Sequence, residues 1–76
     1  MARTMAIKGL RRAIDEAGGQ ADLARLIHTS QSQVWYWLNR SKNGVPAEFV
    51  LPIERSTGIS RHELRPDLYP IREAAE

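Results

Sequence analysis

The stretch Gln20–Leu38, QADLARLIHTSQSQVWYWL, constrains the fold more than any other part of the chain. Leu23, Ala24 and Ile27 share one face of a helix running from about Gln20 to Ile27, with Leu26 at its margin. Val34, Trp37 and Leu38, spaced i, i+3, i+4, form the buried stripe of a second helix from about Gln31 to Asn39 or Arg40. Between them stand His28 and Thr29, enough for a turn and nothing more. Ser30 suits the N-cap of the second helix, because its hydroxyl can accept from an amide one turn inward. The arrangement is that of a helix-turn-helix. His28 reads as a turn residue with positive φ. It does not read as a metal ligand, because the only other histidine is His62 and no carboxylate spacing supports a site.

The flanking segments are helical as well. From Met5 to Ala17, Ala6, Ile7, Leu10, Ala13, Ile14 and Ala17 fall on one face, and Lys8, Arg11, Arg12, Asp15 and Glu16 on the other. Thr4 is placed to cap the start. Gly18-Gly19 ends the helix, since glycine enters the left-handed region without steric cost. Ser41-Lys42-Asn43-Gly44 reads as a loop. Pro46 suits the first turn of a fourth helix, with Val45, Phe49 and Ile53 on one side. Pro52 removes a hydrogen bond within it and can kink it, and Gly58 closes it. Ser60 and Glu63 have the spacing of a capping box for a short fifth helix ending near Leu64 or Arg65. Pro66 and Pro70 favour an extended ending from Arg65 to Ile71, where Leu68 to Ile71 could add to a sheet edge. The expectation is an all-α fold, a compact bundle of about five short helices. Its helix-turn-helix domain covers 1–65, and an extended tail covers 66–76.

Composition bounds the function. A chain of 76 residues is one small domain. It has no cysteine, hence no disulfide, thiolate metal site or Cys nucleophile, which fits a cytoplasmic protein. No apolar run approaches a membrane span, and the N-terminus lacks a signal-peptide core. With no Gly-rich phosphate loop and no His–carboxylate spacing, neither an enzyme nor a cofactor is expected. The net charge is only +2, but its distribution is uneven. No acid lies between Asp22 and Glu48, while Arg25, Arg40 and Lys42 do. That interval can face a polyanion.

The second helix of the pair has the two faces that a DNA-reading helix needs. At 3.6 residues per turn, Val34, Trp37 and Leu38 point one way and Ser32, Tyr36 and Asn39 roughly the other. Trp35, Gln33 and Arg40 lie on the flanks, and Gln31 projects from the N-terminal end. In the major groove the N-terminal residues of such a helix touch base edges. Gln bonds adenine through N6 and N7, and Ser reaches several bases. Gln31 and Ser32 are the first candidates for base contact, followed by Gln33 and Asn39. The alternative for this trio at the helix start is a capped, solvated turn. Tyr36 could bond a phosphate, either Tyr36 or Trp35 could pack on a thymine methyl, and Trp35 could instead belong to a protein interface. Arg40, Lys42, Arg25 and the amides near Gln20 are candidates for phosphate contact, which positions a protein without reading sequence.

These residues resemble a known group. Gln20–Leu38 is similar to the helix-turn-helix of the Cro repressors of lambdoid phages and of the related YdaS-type prophage regulators, to which an antitoxin role is ascribed. Ala24 matches the small residue between the two helices. Ile27, Val34 and Trp37 match the buried positions, and Gln31-Ser32 the start of the recognition helix. Val45-Pro-Ala-Glu48, Ile53 to Gly58 and Leu64 to Pro70 resemble the ending of the YdaS-type group. The sequence departs from the wider pattern at His28, where glycine is usual, and carries Pro52 inside a helix. The resemblance implies a lambda-repressor-like fold and a transcriptional repressor on a double-stranded DNA operator near a prophage promoter, usually as two copies on a pseudo-palindrome. The competing expectation is an antitoxin or interaction module in direct contact with a partner toxin. Leu68, Tyr69 and Ile71 would then serve that partner or a second copy, unless they pack back onto the domain.

Overall fold

The computed structural model describes residues 2–70, which form five helices and no strand. They are α1 (Ala2–Ala17), α2 (Gln20–Leu26), α3 (Gln31–Asn39), α4 (Ala47–Thr57) and α5 (Arg61–Leu64). The fold is a small all-helical one of the helix-turn-helix type. Among the described residues no helix is long and apolar enough to cross a membrane.

The apolar faces inferred from periodicity meet in one core. Leu10 and Ala13 of α1, Leu23 and Ala24 of α2, Val34 and Trp37 of α3, and Val50 and Ile53 of α4 are all buried together. Ile27, Val45, Ile59 and Leu64 join them from turns and from α5. Helix α1 is the spine, packing on α2, α4 and α5. Its approach to α5 depends on Gly9, where a Cβ would overlap the backbone carbonyl of Glu63. Two core details differ from expectation. Val50, outside the expected stripe, is fully buried, while Phe49 is only partly so. Leu38 is half-buried at the edge of its stripe rather than inside it.

Local chemistry explains most boundaries. Gly18 and Gly19 both donate to the Ile14 carbonyl, at 3.0 and 2.9 Å, closing α1. His28 adopts φ 60° and is the only non-glycine residue with positive φ among those described. Thr29 N–H then reaches back to the Ala24 carbonyl at 2.9 Å, so the turn glycine usually makes is made here by an exposed histidine. Ser30 caps α3 as expected, its hydroxyl accepting from Gln33 N–H at 3.2 Å. Gly58 ends α4 in the left-handed region, at φ 82°. Pro52 stands inside α4 without ending it. The carbonyl it leaves without a donor is that of Glu48, an exposed first-turn residue where water can substitute.

Three local expectations are corrected. Thr4 does not cap α1: the helix already begins at Ala2, because Ala2 and Arg3 favour helix and carry it past Thr4. Ser60 and Glu63 do not form a reciprocal capping box. Ser60 caps α5 through His62 N–H at 2.9 Å, but the Glu63 carboxylate pairs with Arg12 of α1. Glu54 of α4 takes the expected role of Glu63, accepting from Arg61 N–H at 3.2 Å and from its guanidinium at 3.0 Å. The described part of the tail is not extended. Leu68 and Tyr69 N–H both return to the Arg65 carbonyl, at 3.1 and 2.8 Å, making a turn.

That turn is fastened by a residue composition does not reveal. Arg65 is buried and donates to the Val45 carbonyl at 2.8 Å, while its fork grips Asp67 at 2.9 and 2.7 Å. The hydrogen bond from Arg65 holds the Asp67 carboxyl below the usual carboxylate range, and Asp67 in turn raises Arg65 further. Tyr69 packs back on the core, its carbonyl accepting from His62 Nδ1 at 2.7 Å, and Leu68 stays exposed. Ile71, and the rest of the 71–76 stretch assigned to the tail and to a possible sheet edge, lies outside the described residues.

Candidate nucleic-acid interface

Helix α3 is held by its inner side. Trp37 is 2% exposed and its ring lies 5.0 Å from that of Phe49, tilted by 43°. Val34 is fully buried, and α2 packs along the same side of α3. With Val34 and Trp37 fixed, helical geometry leaves the rest of α3 no choice of direction. Gln31, Ser32, Gln33, Trp35, Tyr36 and Asn39 are all exposed. Trp35 at 46% and Tyr36 at 52% are unusually exposed for aromatic residues. Gln31, Ser32 and Trp35 line a shallow open hollow at the N-terminal end of the helix.

The remaining expected residues fall into different situations. Arg40 closes α3, its N–H bonded to the Tyr36 carbonyl at 2.8 Å, and its side chain is exposed. Lys42 is exposed in the following loop, which the Ser41 hydroxyl fastens by donating to the Gly44 carbonyl at 2.7 Å. Neither cation has an ion-pair partner among the described residues. Arg25 is different: it is paired with Asp22 one turn earlier on α2, so its charge is already met. Asn39 turns its amide back to the Trp35 carbonyl at 3.0 Å, which commits one of its two amide hydrogens. Gln20 is half-buried, and its side-chain oxygen is sealed from solvent with no hydrogen-bond partner. The structure therefore brings Gln31, Ser32 and Trp35 together and puts Gln33, Tyr36, Arg40 and Lys42 on the surface. It sets Arg25, Asn39 and Gln20 in local contacts of their own.

The model of the family described as "Bacterial toxin YdaS" matches residues 10–73. The chain belongs to the YdaS family. No curated protein and no solved structure matches it significantly. The match runs from the middle of α1 through α3 and past the Arg65 turn, so it takes in the whole exposed face of α3 of this YdaS-family chain. The match does not reach the N-terminal part of α1, which helps to line a further feature of the surface. A groove between α1 and α5 is lined by Met5, Lys8, Gly9, Arg12, His62 and Glu63. Its sequence signal is faint: an exposed Met5 and a glycine in the middle of an otherwise regular helix.

Proposed function

We propose that this YdaS-family chain is a sequence-specific double-stranded DNA-binding regulator, a Cro-like repressor that lays α3 in the major groove and occludes a phage or prophage promoter. The observation that carries the reading is the division of α3. One side is buried through Val34 and Trp37, and the other offers Gln31, Ser32 and Gln33 without competing side-chain bonds among the described residues. Amide and hydroxyl groups on the first turn of an anchored helix are suited to base edges. Arg40 and Lys42, at the other end and without an ion pair among the described residues, are suited to phosphates. Arg25 and Gln20 are weaker members of the phosphate set, since each is engaged or half-buried. Asn39 keeps its oxygen and its second amide hydrogen for a contact. Two copies on a pseudo-palindrome would supply the contacts that a single small domain lacks. The reading requires no cofactor and no catalysis, and it places the protein in the cytoplasm, on the nucleoid when bound.

A second reading has its own support. The family description names a toxin, where the sequence resemblance implied an antitoxin. Both words belong to systems in which one protein neutralises another, and Leu68, 45% exposed beside the Arg65 turn, is an apolar contact such a partner would use. The test is selection of bound sites from random duplexes followed by a salt titration. Binding through several phosphates weakens steeply with salt, whereas an apolar protein contact does not. Recovery of a consensus with a steep slope supports the regulator. Failure to enrich any sequence, with a salt-insensitive protein complex instead, would replace it by the interaction module.

A further inference from the structure

We propose that the hollow formed by Gln31, Ser32 and Trp35 seats the 5-methyl group of a thymine, which makes Trp35 a specificity-determining residue beside the base-bonding Gln31. The proposal rests on α3 lying in the major groove and adds which base the aromatic wall selects. Its starting point is the composition of the face. Apart from Trp35 and Tyr36, every exposed residue of α3 is polar. Trp35 stands beside Tyr36 as an aromatic wall, with the amide of Gln31 and the hydroxyl of Ser32 next to it. Positions 31 and 35 stand one turn apart on the same side, and Ser32 completes the hollow.

The chemistry of the groove then decides the occupant. Phosphate oxygens offer an indole ring nothing apolar. Of the four bases only thymine presents a methyl group in the major groove. A thymine is also what an adenine pairs with, so a glutamine bonded to adenine N6 and N7 has a thymine methyl on the same base pair. The charge surroundings agree. No acid lies between Asp22 and Glu48, and the Asp22 carboxylate is taken by Arg25, so nothing on this face repels the backbone that brings the base edge in.

The test uses the full chain and the selected duplex. Each thymine of the consensus is replaced singly by deoxyuridine, which removes the methyl group and keeps every hydrogen bond. Affinity is read by fluorescence anisotropy at one salt concentration. One thymine per half-site is expected to weaken binding about fourfold when its methyl is removed, the transfer free energy of one buried carbon. Trp35→Ala is expected to bind the thymine and deoxyuridine duplexes alike, and Trp35→Leu, which keeps an apolar wall, to retain a difference. Circular dichroism melting checks that both variants are folded. A consensus in which no thymine is sensitive, or a sensitivity that persists in Trp35→Ala, would overturn the assignment while leaving DNA binding intact. Loss of any sequence preference in the wild-type chain would remove both it and the reading on which it rests.

Discussion

Gln31 and Arg65 show two kinds of side chain at opposite ends of legibility. Gln31 is exposed on the first turn of α3, with no partner among the described residues, as its position ahead of the Val34–Trp37 stripe implied. Gln31→Ala is expected to lower affinity for the selected site by about 1–3 kcal/mol and to relax preference at one base pair; equal losses on cognate and scrambled duplexes would remove it from base reading. Arg65 could not be recognised, because nothing in the sequence shows that the Val45 carbonyl arrives beside it. Arg65→Met leaves that carbonyl unsatisfied and should cost about 1–3 kcal/mol in chemical denaturation. Its partner adds a pH dependence. Asp67 titrates lower in the folded chain than in the unfolded one, so the bond stabilises fully above the unfolded carboxyl pKa. That contribution is lost as pH falls through the lower, folded value. Stability of the wild type should therefore fall more between pH 5 and acid than that of Asp67→Asn; parallel acid limbs would show that the bond contributes nothing.

At the scale of elements, helices with a strong 3.6-residue period were legible and their ends were less so. The stripe of α3 was placed by spacing alone, and the structure buries Val34 and Trp37 while leaving Leu38 at the margin. Trp37→Ala should cost about 3–5 kcal/mol, because the indole packs on Phe49 in the core. Trp35→Ala, half-exposed, should cost about 1 kcal/mol or less. Similar losses for the two would mean that α3 is anchored by a different side. Ser60 caps α5 as its spacing implies, but the Glu63 half of the capping box does not form, for a physical reason. The Ser60–Glu63 spacing is a local signal, and tertiary contacts overrode it: Arg12 drew Glu63 away, and Glu54 came from the preceding helix to cap Arg61. Likewise Pro66 and Pro70 suggested an extended ending because local φ restriction was all the sequence offered. Arg65, bonded to both Val45 and Asp67, bends it into a turn instead.

Across the whole molecule, the acid-free interval between Asp22 and Glu48 carries the exposed face of α3 and two cations, Arg40 and Lys42, that have no ion-pair partner among the described residues. This face was visible as a charge pattern before it was visible as a surface. Which cations remain available was not, since only the fold pairs Arg12 with Glu63. Arg40→Ala should weaken binding to all duplexes and reduce the slope of log K against log salt by about 1; an unchanged slope would take Arg40 out of the phosphate contacts. The most direct measurement is of where duplex DNA touches the chain: chemical-shift changes in the uniformly ¹⁵N-labelled protein on titration with its selected duplex. They are expected to concentrate on Gln31, Ser32, Gln33, Trp35, Tyr36, Arg40 and Lys42. Shifts confined to the α1–α5 groove of Met5, Lys8, Arg12 and His62, with α3 silent, would show that the exposed side of α3 does not enter DNA.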